Sequence, residues 1–304
     1  MVSVFMLTYN QEEFISQAID GVLSQKTSFK YQLVIGEDCS TDGTREICQK
    51  YAEAHPEKIK LILNDENIGL GANYVKTYAA CRGKYVAICD GDDYWTDPLK
   101  LQKQVDFLES NSDYDVIFTN NENLYPAGKK HVRNISKIPG TSSFRELVFG
   151  NYIASVTVLF RKRKLSAFLE DLIKDLPYGD WPTYLWVTKE GGKIHFLNDV
   201  TSVYRKDSGT SAVLRRSKSR IGEVNLTILQ YLKRLPEFVD FLPEIEQAIL
   251  KLKTGLMASY FREDKISKSI KLWFDLKKKT GFLGPTRTYI YLIKLKLKKK
   301  VQKI

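Results

Sequence analysis

Residues 85–95, YVAICDGDDYW, decide the fold of this chain. The unbroken β-prone run at residues 85–89 predicts a buried strand, and three aspartates follow it almost directly. Gly91 lets the backbone bend tightly between the first two of them. A strand of this kind delivers carboxylates to one edge of a sheet.

The acidic turn, defined here as residues 90–93, has two interpretations. Carboxylates this close repel one another, so a divalent cation would stabilise them, and Mg²⁺ or Mn²⁺ completes its shell with water and substrate phosphates. The alternative is a solvated turn, because Asp and Gly are common turn residues. An EF-hand loop starting at Asp90 is excluded, since Trp95 and Leu101 stand where that loop requires Gly and Glu.

Three more strand-and-helix units precede this strand, with strands expected at residues 4–7, 32–36 and 59–63. Four such units predict an α/β fold, with a mostly parallel central sheet flanked by helices. Because parallel strands bind ligands at their carboxyl ends, we expect the polar clusters there to converge. The clusters are Thr8-Tyr9-Asn10, Glu37-Asp38, Asn67 with Gly69 and Asn73, and the acidic turn.

The second half of the chain is harder to interpret, and its β signal ends near residue 211. We expect one domain at residues 1–210 and a helical region at residues 211–304. The expected elements are helices at residues 99–108, 144–149 and 164–172, strands at 115–119, 155–160, 193–197 and 201–204, and a polar loop at 120–139.

Charge is distributed unevenly over the 304 residues. Residues 251–304 hold 16 Lys/Arg and 3 Asp/Glu, a net +13 against +11 for the whole chain, so the first 250 residues carry −2. A nearly neutral body argues against nucleic-acid binding.

Four cysteines without CxxC spacing predict neither zinc nor disulfides and fit a reducing, cytoplasmic setting. The longest apolar run, residues 153–160, is far below the ~18 residues of a membrane span, and no basic leader precedes the first strand.

Five motifs resemble the family-2 glycosyltransferases with the GT-A nucleotide-sugar fold, over residues 1 to about 210. They are Thr8-Tyr9-Asn10, the loop at residues 37–44, Asn67-Ile68-Gly69, Asp90-Gly91-Asp92 and Gly179-Asp180-Trp181. Three positions depart from the pattern: Glu37 stands where Asp is usual, Cys39 where Gly is usual, and Ala72 where Arg is often found.

The resemblance implies an inverting hexosyl- or N-acetylhexosaminyltransferase that uses a nucleoside diphosphate sugar, with UDP the usual nucleotide. It assigns metal coordination by Mn²⁺ or Mg²⁺ to Asp90 and Asp92, and general-base catalysis to Asp180. Donor binding falls to Thr8, Tyr9, Asn10, Glu37, Asp38, Asn67, Gly69, Asn73, Asp90, Gly91, Asp92 and Arg205. By residue chemistry alone, Asp180 also suits a helix N-cap before Trp181-Pro182, and Arg205 a solvated surface charge.

The last residues, 286–304, have apolar residues at intervals of three and four among lysines, the pattern of a basic amphipathic helix. Such a helix suits an anionic membrane surface, and its alternatives are packing on the catalytic domain or forming a homodimer. We expect a cytoplasmic enzyme, peripheral on the inner face of the plasma membrane, that acts on a surface polysaccharide or lipid-linked oligosaccharide.

Two competing functions are weighed against this expectation. Sugar nucleotidyltransferases share the architecture but carry a Gly-rich basic loop after the first strand, where this chain has Thr8-Tyr9-Asn10-Gln11. A non-catalytic nucleotide-sugar-binding or scaffold subunit of a glycan assembly complex would keep the donor site and lose the base, and Asp180 argues against it.

Overall fold

The computed structural model describes residues 1–206 and 217–280, together with Thr286 and Ile290. The chain divides into two compact units, Met1–Ala212 and Val213–Ile304. Each unit is described by itself.

The first unit begins with alternating strands and helices, as the sequence predicts. Its first part comprises β1 (Val2–Thr8), α1 (Ile15–Leu23), β2 (Tyr31–Glu37), α2 (Thr44–Ala54), β3 (Ile59–Leu63), α3 (Leu70–Ala80), β4 (Tyr85–Ile88), β5 (Tyr94–Trp95) and α4 (Lys100–Ser110). The rest comprises β6 (Tyr114–Leu124), β7 (Lys130–Val132), β8 (Thr141–Ser142), α5 (Phe144–Leu147), a 3-10 turn (Ser155–Thr157), β9 (Val158–Arg161), α6 (Ala167–Lys174), α7 (Asp180–Val187) and β10 (Lys193–Arg205).

These strands form one sheet in the order β3-β2-β1-β4-β9-β6-β10-β5. The neighbours among β3, β2, β1 and β4 are parallel, and β10 is parallel to β6. β9 runs antiparallel between β4 and β6. Thr8 lies opposite Glu37, and Glu37 opposite Leu63, so the polar clusters share one edge. The predicted α/β fold is confirmed.

Helices cover both faces of the sheet because side chains alternate along each strand. Val4 and Met6 share a buried cluster with the apolar stripe of α1. Phe5 points to the other face, where its ring lies 4.8 Å from that of Tyr74 on α3. The spacing of the apolar residues in α1, at intervals of three and four, follows from this packing.

Three predicted boundaries were wrong. The segment at residues 120–139 is not all loop, because β6 continues to Leu124 and pairs with β7 as a hairpin. The two strands expected at 193–197 and 201–204 are one strand, β10, whose register shifts between Leu197 and Ser202 absorb its polar centre. Residues 155–157 form the 3-10 turn rather than strand.

The second unit is helical where it is described. It comprises α8 (Lys218–Leu232), a 3-10 helix (Pro236–Phe241), α9 (Leu242–Arg262) and α10 (Ile266–Thr280). α9 packs against both α8 and α10. Among the described helices, none has the length and apolarity needed to cross a bilayer. The predicted basic helix at residues 286–304 lies outside the described residues, apart from Thr286 and Ile290.

Candidate functional site

The acidic turn lies directly against the end of β1. The backbone N–H of Gly91 donates to the carbonyl of Leu7 at 2.9 Å, and that of Asp93 to the carbonyl of Asp90 at 3.0 Å. A Cβ on Gly91 would lie 2.5 Å from Gln11 Oε1 and 2.9 Å from Thr8 Oγ1. This position therefore requires glycine because of close contact, rather than for its backbone angle.

Asp90 is a half-buried carboxylate with one side-chain donor, Ser155 Oγ, at 3.2 Å. Burial, followed by the negative charges of Asp92 and Asp180 in that order, raises its pKa to about 7. This coupling means that the predicted metal ligands and the predicted base share one region of low dielectric. A positive charge there would favour the ionised form of Asp90.

Asp93, the third acid of the turn, is buried and bonded to β10. Its Oδ1 accepts the backbone N–H of Arg205 at 2.8 Å, while burial and the charge of Asp92 hold its pKa well above the usual range. Asp93 is not one of the two acids assigned to the metal, and its bond joins the acidic turn to β10.

Arg205 braces the acidic turn from the other side. Its Nη1 donates to the carbonyl of Asp92 and its Nη2 to Gln17 Oε1, both at 2.6 Å. The guanidinium lies 4.6 Å from the ring centre of Phe14 and 4.9 Å from that of Tyr94. Binding of a diphosphate by Arg205 stays a prediction, and the contacts give it a positioning role.

Asp180 is the first residue of α7, and Gly179 rather than Asp180 occupies the N-cap position. Asn151 Nδ2 donates to Asp180 Oδ2 at 2.9 Å. Burial raises the pKa of Asp180, while the N–H of Trp181 and the amide of Asn151 oppose that rise. The capping interpretation of Asp180 is therefore wrong, and its carboxylate remains a candidate base.

Hydrogen bonds join the three other strand-end loops. Asp38 Oδ2 accepts the backbone N–H of Gly69 at 3.0 Å, and its Oδ1 accepts that of Ile68 at 3.0 Å. Asn67 Nδ2 donates to the carbonyl of Asp38 at 3.2 Å. Asn10 has a φ of 51° and accepts the backbone N–H of Thr41 at 2.8 Å. The structure brings these predicted residues together at one edge.

Two predicted donor contacts are buried and engaged by the protein. Glu37 is fully buried, and its two oxygens accept from the N–H of Ser40 at 2.6 Å and from Arg45 Nε at 2.5 Å. Asn73 is buried, and its Nδ2 donates to the carbonyl of Gly36 at 2.9 Å. Their binding roles stay predictions. Tyr9 differs, because 40% of its surface is exposed beside the site.

Comparison with known proteins decides the family. The profile described as glycosyl transferase family 2 matches residues 3–168. The chain belongs to this family. The uncharacterized protein Rv1520 of Mycobacterium tuberculosis is 37% identical over 211 residues, which are 67% of this chain and 58% of that protein. The putative teichuronic acid biosynthesis glycosyltransferase TuaG of Bacillus subtilis is 29% identical, over 67% of this chain and 79% of TuaG. The chain thus spans 58% of the length of the first of these relatives.

Two solved structures show the same fold. S. aureus TarS in complex with UDP aligns with a TM-score of 0.59 at 20% identity, over 86% of this chain and 72% of that chain. The mannosyltransferase PcManGT of Pyrobaculum calidifontis, in complex with GDP-Man and Mn²⁺, aligns at 0.60 and 17% identity, over 97% of this chain and 80% of that chain. At these identities the likeness establishes the GT-A fold alone.

Cys39, which departs from the family-2 pattern, has an unusual backbone conformation. Cys39 has a φ of 59°, in the left-handed region where glycine costs least, and the family pattern usually has Gly there. Its thiol donates to the carbonyl of Asp65 at 3.4 Å. Cys39 therefore adopts a backbone conformation that glycine adopts more easily.

The metal ligands in this family-2 site would be few. Within residues 1–206 and 217–280, no group of three or more His, Cys, Asp or Glu side chains is arranged to hold a metal ion. Asp90 and Asp92 remain the candidate pair, and oxygen ligands of this kind suit Mg²⁺ or Mn²⁺ when substrate phosphates complete the shell.

Sequence reasoning missed the residues that hold the acids in place. Ser155, Asn151 and Arg45 bond Asp90, Asp180 and Glu37, which lie 65, 29 and 8 positions away in the chain. No local pattern marks the two distant partners, because only the folded sheet brings them to the acids. Arg45 follows the polar loop of β2, so a helix starting there could have suggested it.

Proposed function

We propose that this chain is an inverting, metal-dependent glycosyltransferase that moves a hexosyl or N-acetylhexosaminyl group from a nucleoside diphosphate, most simply UDP. The observation that carries the proposal is the electrostatic coupling of Asp90 with Asp92 and Asp180 at the carboxyl edge of the sheet. Ligands of open α/β sheets bind at this edge. The family and the fold of UDP-bound TarS support the choice of donor.

Asp90 and Asp92 would hold the cation. The fit rests on repulsion between the two carboxylates, since it raises the pKa of Asp90 and a nearby positive charge would relieve it. Bound there, Mn²⁺ or Mg²⁺ would stabilise negative charge on the departing diphosphate as a Lewis acid. The Mn²⁺ in PcManGT supports this assignment.

Asp180 would serve as the general base. It takes the proton from the acceptor hydroxyl while the oxygen attacks the anomeric carbon from the face opposite the diphosphate, so the configuration inverts. Burial raises its pKa and makes it a stronger base than a solvated aspartate. Asn151 holds the carboxylate in place through Oδ2.

The acceptor in this proposal is a surface polysaccharide or a lipid-linked oligosaccharide of the cell envelope. The relative TuaG, whose name concerns teichuronic acid biosynthesis, supports a polysaccharide acceptor. An enzyme acting on such acceptors would work at the inner face of the plasma membrane. The basic pattern at residues 286–304 suits contact with an anionic bilayer there.

The test is a screen of UDP- and GDP-sugars for Mn²⁺-stimulated hydrolysis and transfer. Asp92→Asn is expected to lose the Mn²⁺ response, and Asp180→Asn to bind donor but not transfer sugar. A chain that binds nucleotide sugars and never turns them over would instead be the non-catalytic subunit. Full transfer by Asp180→Asn would refute the assignment of the base.

A further inference from the structure

A run of positive charge borders the candidate site. Residues 123–145, named here the basic segment, hold five Lys/Arg and no Asp or Glu, although the first 250 residues carry a net −2. The segment spans the β6–β7 hairpin and the chain that leads into α5. Its cations are Lys129, Lys130, Arg133, Lys137 and Arg145.

The fold itself does not use two of these cations. Lys129 and Lys137 are exposed, and neither forms an ion pair with any residue in the described part of the chain. Lys130 lies 3.8 Å from Glu122, at the long end of an ion pair. Uncompensated like charges repel one another, so the segment would be stabilised by an external anion.

A hollow of about 500 Å³ opens beside the segment. Its lining residues are Ser136, Lys137, Ile138, Pro139, Glu146 and Tyr152. The one acid there, Glu146, already accepts the N–H and hydroxyl of Ser143 at 2.8 Å each as the capping box of α5. That cap orients the acid toward its own helix and leaves Lys137 as the other charged lining group.

Arg133 adds a second, independent observation. Its Nη2 donates to the carbonyl of Tyr152 at 2.6 Å, whereas its Nη1 is buried and has no hydrogen-bond partner. No described carboxylate pairs with this guanidinium, and burial lowers its pKa. Through its bond to Tyr152, Arg133 adds a positive charge beside a lining residue of the hollow.

The chain connects this surface to both halves of the candidate site. Tyr152 follows Asn151, whose amide holds Asp180. At the other end of the segment, Lys130 Nζ lies 5.7 Å from the ring centre of Tyr94, the residue after the acidic turn. The hollow is therefore linked to the candidate base through Tyr152 and its neighbour Asn151.

We propose that the basic segment and its hollow form a subsite for a negatively charged group of the acceptor, either a phosphate or a uronate carboxylate close to the reacting hydroxyl. The proposal rests on the proposed function for the identity of the ligand as an acceptor. It selects anionic glycans over neutral ones among envelope acceptors.

The test compares the charge-reversal variant Lys129→Glu/Lys137→Glu with the matched control Lys26→Glu/Lys30→Glu, which changes two exposed lysines near the start of β2. Binding of oligogalacturonate, inorganic polyphosphate and a neutral maltooligosaccharide is measured at low and high salt on the full chain. We expect wild type and control to bind at least one polyanion, and the segment variant to bind it on the order of tenfold more weakly with a smaller salt dependence. Thermal unfolding of each variant shows that it is folded.

The outcomes either support or overturn the subsite. Comparing oligogalacturonate with polyphosphate distinguishes recognition of a carboxylate from recognition of a phosphate. Equal losses in both variants, equal binding of the neutral glycan, or no polyanion binding by wild type would overturn the proposal. Binding to phosphatidylglycerol vesicles is measured for the same variants, and a loss confined to the vesicles would also overturn the proposal, since it would indicate a membrane contact. Nucleotide-sugar binding by wild type is measured separately, so failure of the proposed function is recognised independently of the subsite.

Discussion

Asn151 is the residue through which the catalytic assignment can be tested most sharply. Its amide donates to Asp180, and this bond opposes the rise in pKa that burial causes. A base acts only when deprotonated, so activity falls below its pKa. Weakening the bond should therefore move the acidic limb of the pH profile of kcat/KM to higher pH.

The size of the change follows from the contact. A hydrogen bond to a charged group is worth ~1.5–3 kcal/mol, and exposure of Asn151 reduces that to about 0.5–1.5. Since 1.36 kcal/mol corresponds to one pH unit, Asn151→Ala should move the limb up by about 0.4–1 unit. Asn151→Asp replaces the donor by a second carboxylate, whose repulsion is about 4 kcal/mol at ~4 Å and an effective dielectric near 20, so the limb should move by roughly three units.

The assay is sugar transfer from UDP-sugar between about pH 5 and pH 9 at saturating Mn²⁺, because Asp90 also titrates near pH 7 and bound cation keeps it ionised. The control pair is Asn198→Ala and Asn198→Asp, at a residue that contacts Asn120 instead. The acidic limb is expected at the lowest pH in the wild type, at a higher pH in Asn151→Ala and at the highest pH in Asn151→Asp. An unchanged limb in both folded Asn151 variants would show that Asp180 is not the titrating base.

Three further predictions follow from buried contacts. Lys100 is fully buried, bonded to Gln104 at 2.8 Å, and burial lowers its pKa to about 7. Unfolding restores its usual affinity for protons, so stability should rise from about pH 7 to pH 10. Lys100→Met should gain roughly 2–4 kcal/mol at pH 7 and less at pH 10 in denaturant titrations. Gly179→Ala would put a Cβ 2.8 Å from the Tyr74 ring, costing about 1–3 kcal/mol in thermal unfolding and lowering kcat by displacing Asp180. Arg205→Lys keeps the positive charge but cannot make both hydrogen bonds, to the Asp92 carbonyl and to Gln17. It should weaken UDP–Mn²⁺ binding, measured by calorimetry, by on the order of tenfold. Wild-type affinity in this variant would mean that the charge alone matters.

The first half of the fold could be predicted because its signals are local. Each parallel strand is a short apolar run that ends in a polar cluster, and the boundaries of β3 agree with the pattern. The hairpin at β6 and β7 could not, since Asn120 and Asn121 look like loop residues. Both are buried within the strand: Asn120 Oδ1 accepts the backbone N–H of Asn121 at 2.9 Å, and Asn121 Nδ2 donates to the carbonyl of Glu122 at 3.0 Å.

The residues of the site were easier to predict than their orientation. A polar side chain at a strand end can face either the ligand or a hydrogen-bond partner within the protein. Its orientation depends on where that partner lies in the fold. Glu37 and Asn73 face Arg45 and the carbonyl of Gly36, and the latter pair is 37 positions apart. Lys100 shows the same limit, because a lysine in an amphipathic helix is expected in water and here lies over the ring of Trp95 at 4.3 Å.

Arginines pair with some of the acids in the first unit. Glu37 pairs with Arg45 at 2.5 Å, and Asp115 pairs with Arg163 at 3.4 Å. Within residues 1–206 and 217–280, Asp90 and Asp180 form no such pair, although Arg205 is close enough to bond the backbone of the acidic turn. Unpaired buried carboxylates are costly, and a fold that needed them only for stability would replace them or pair them. In the proposed function, their negative charge would be balanced by the bound cation at Asp90 and by the acceptor proton at Asp180.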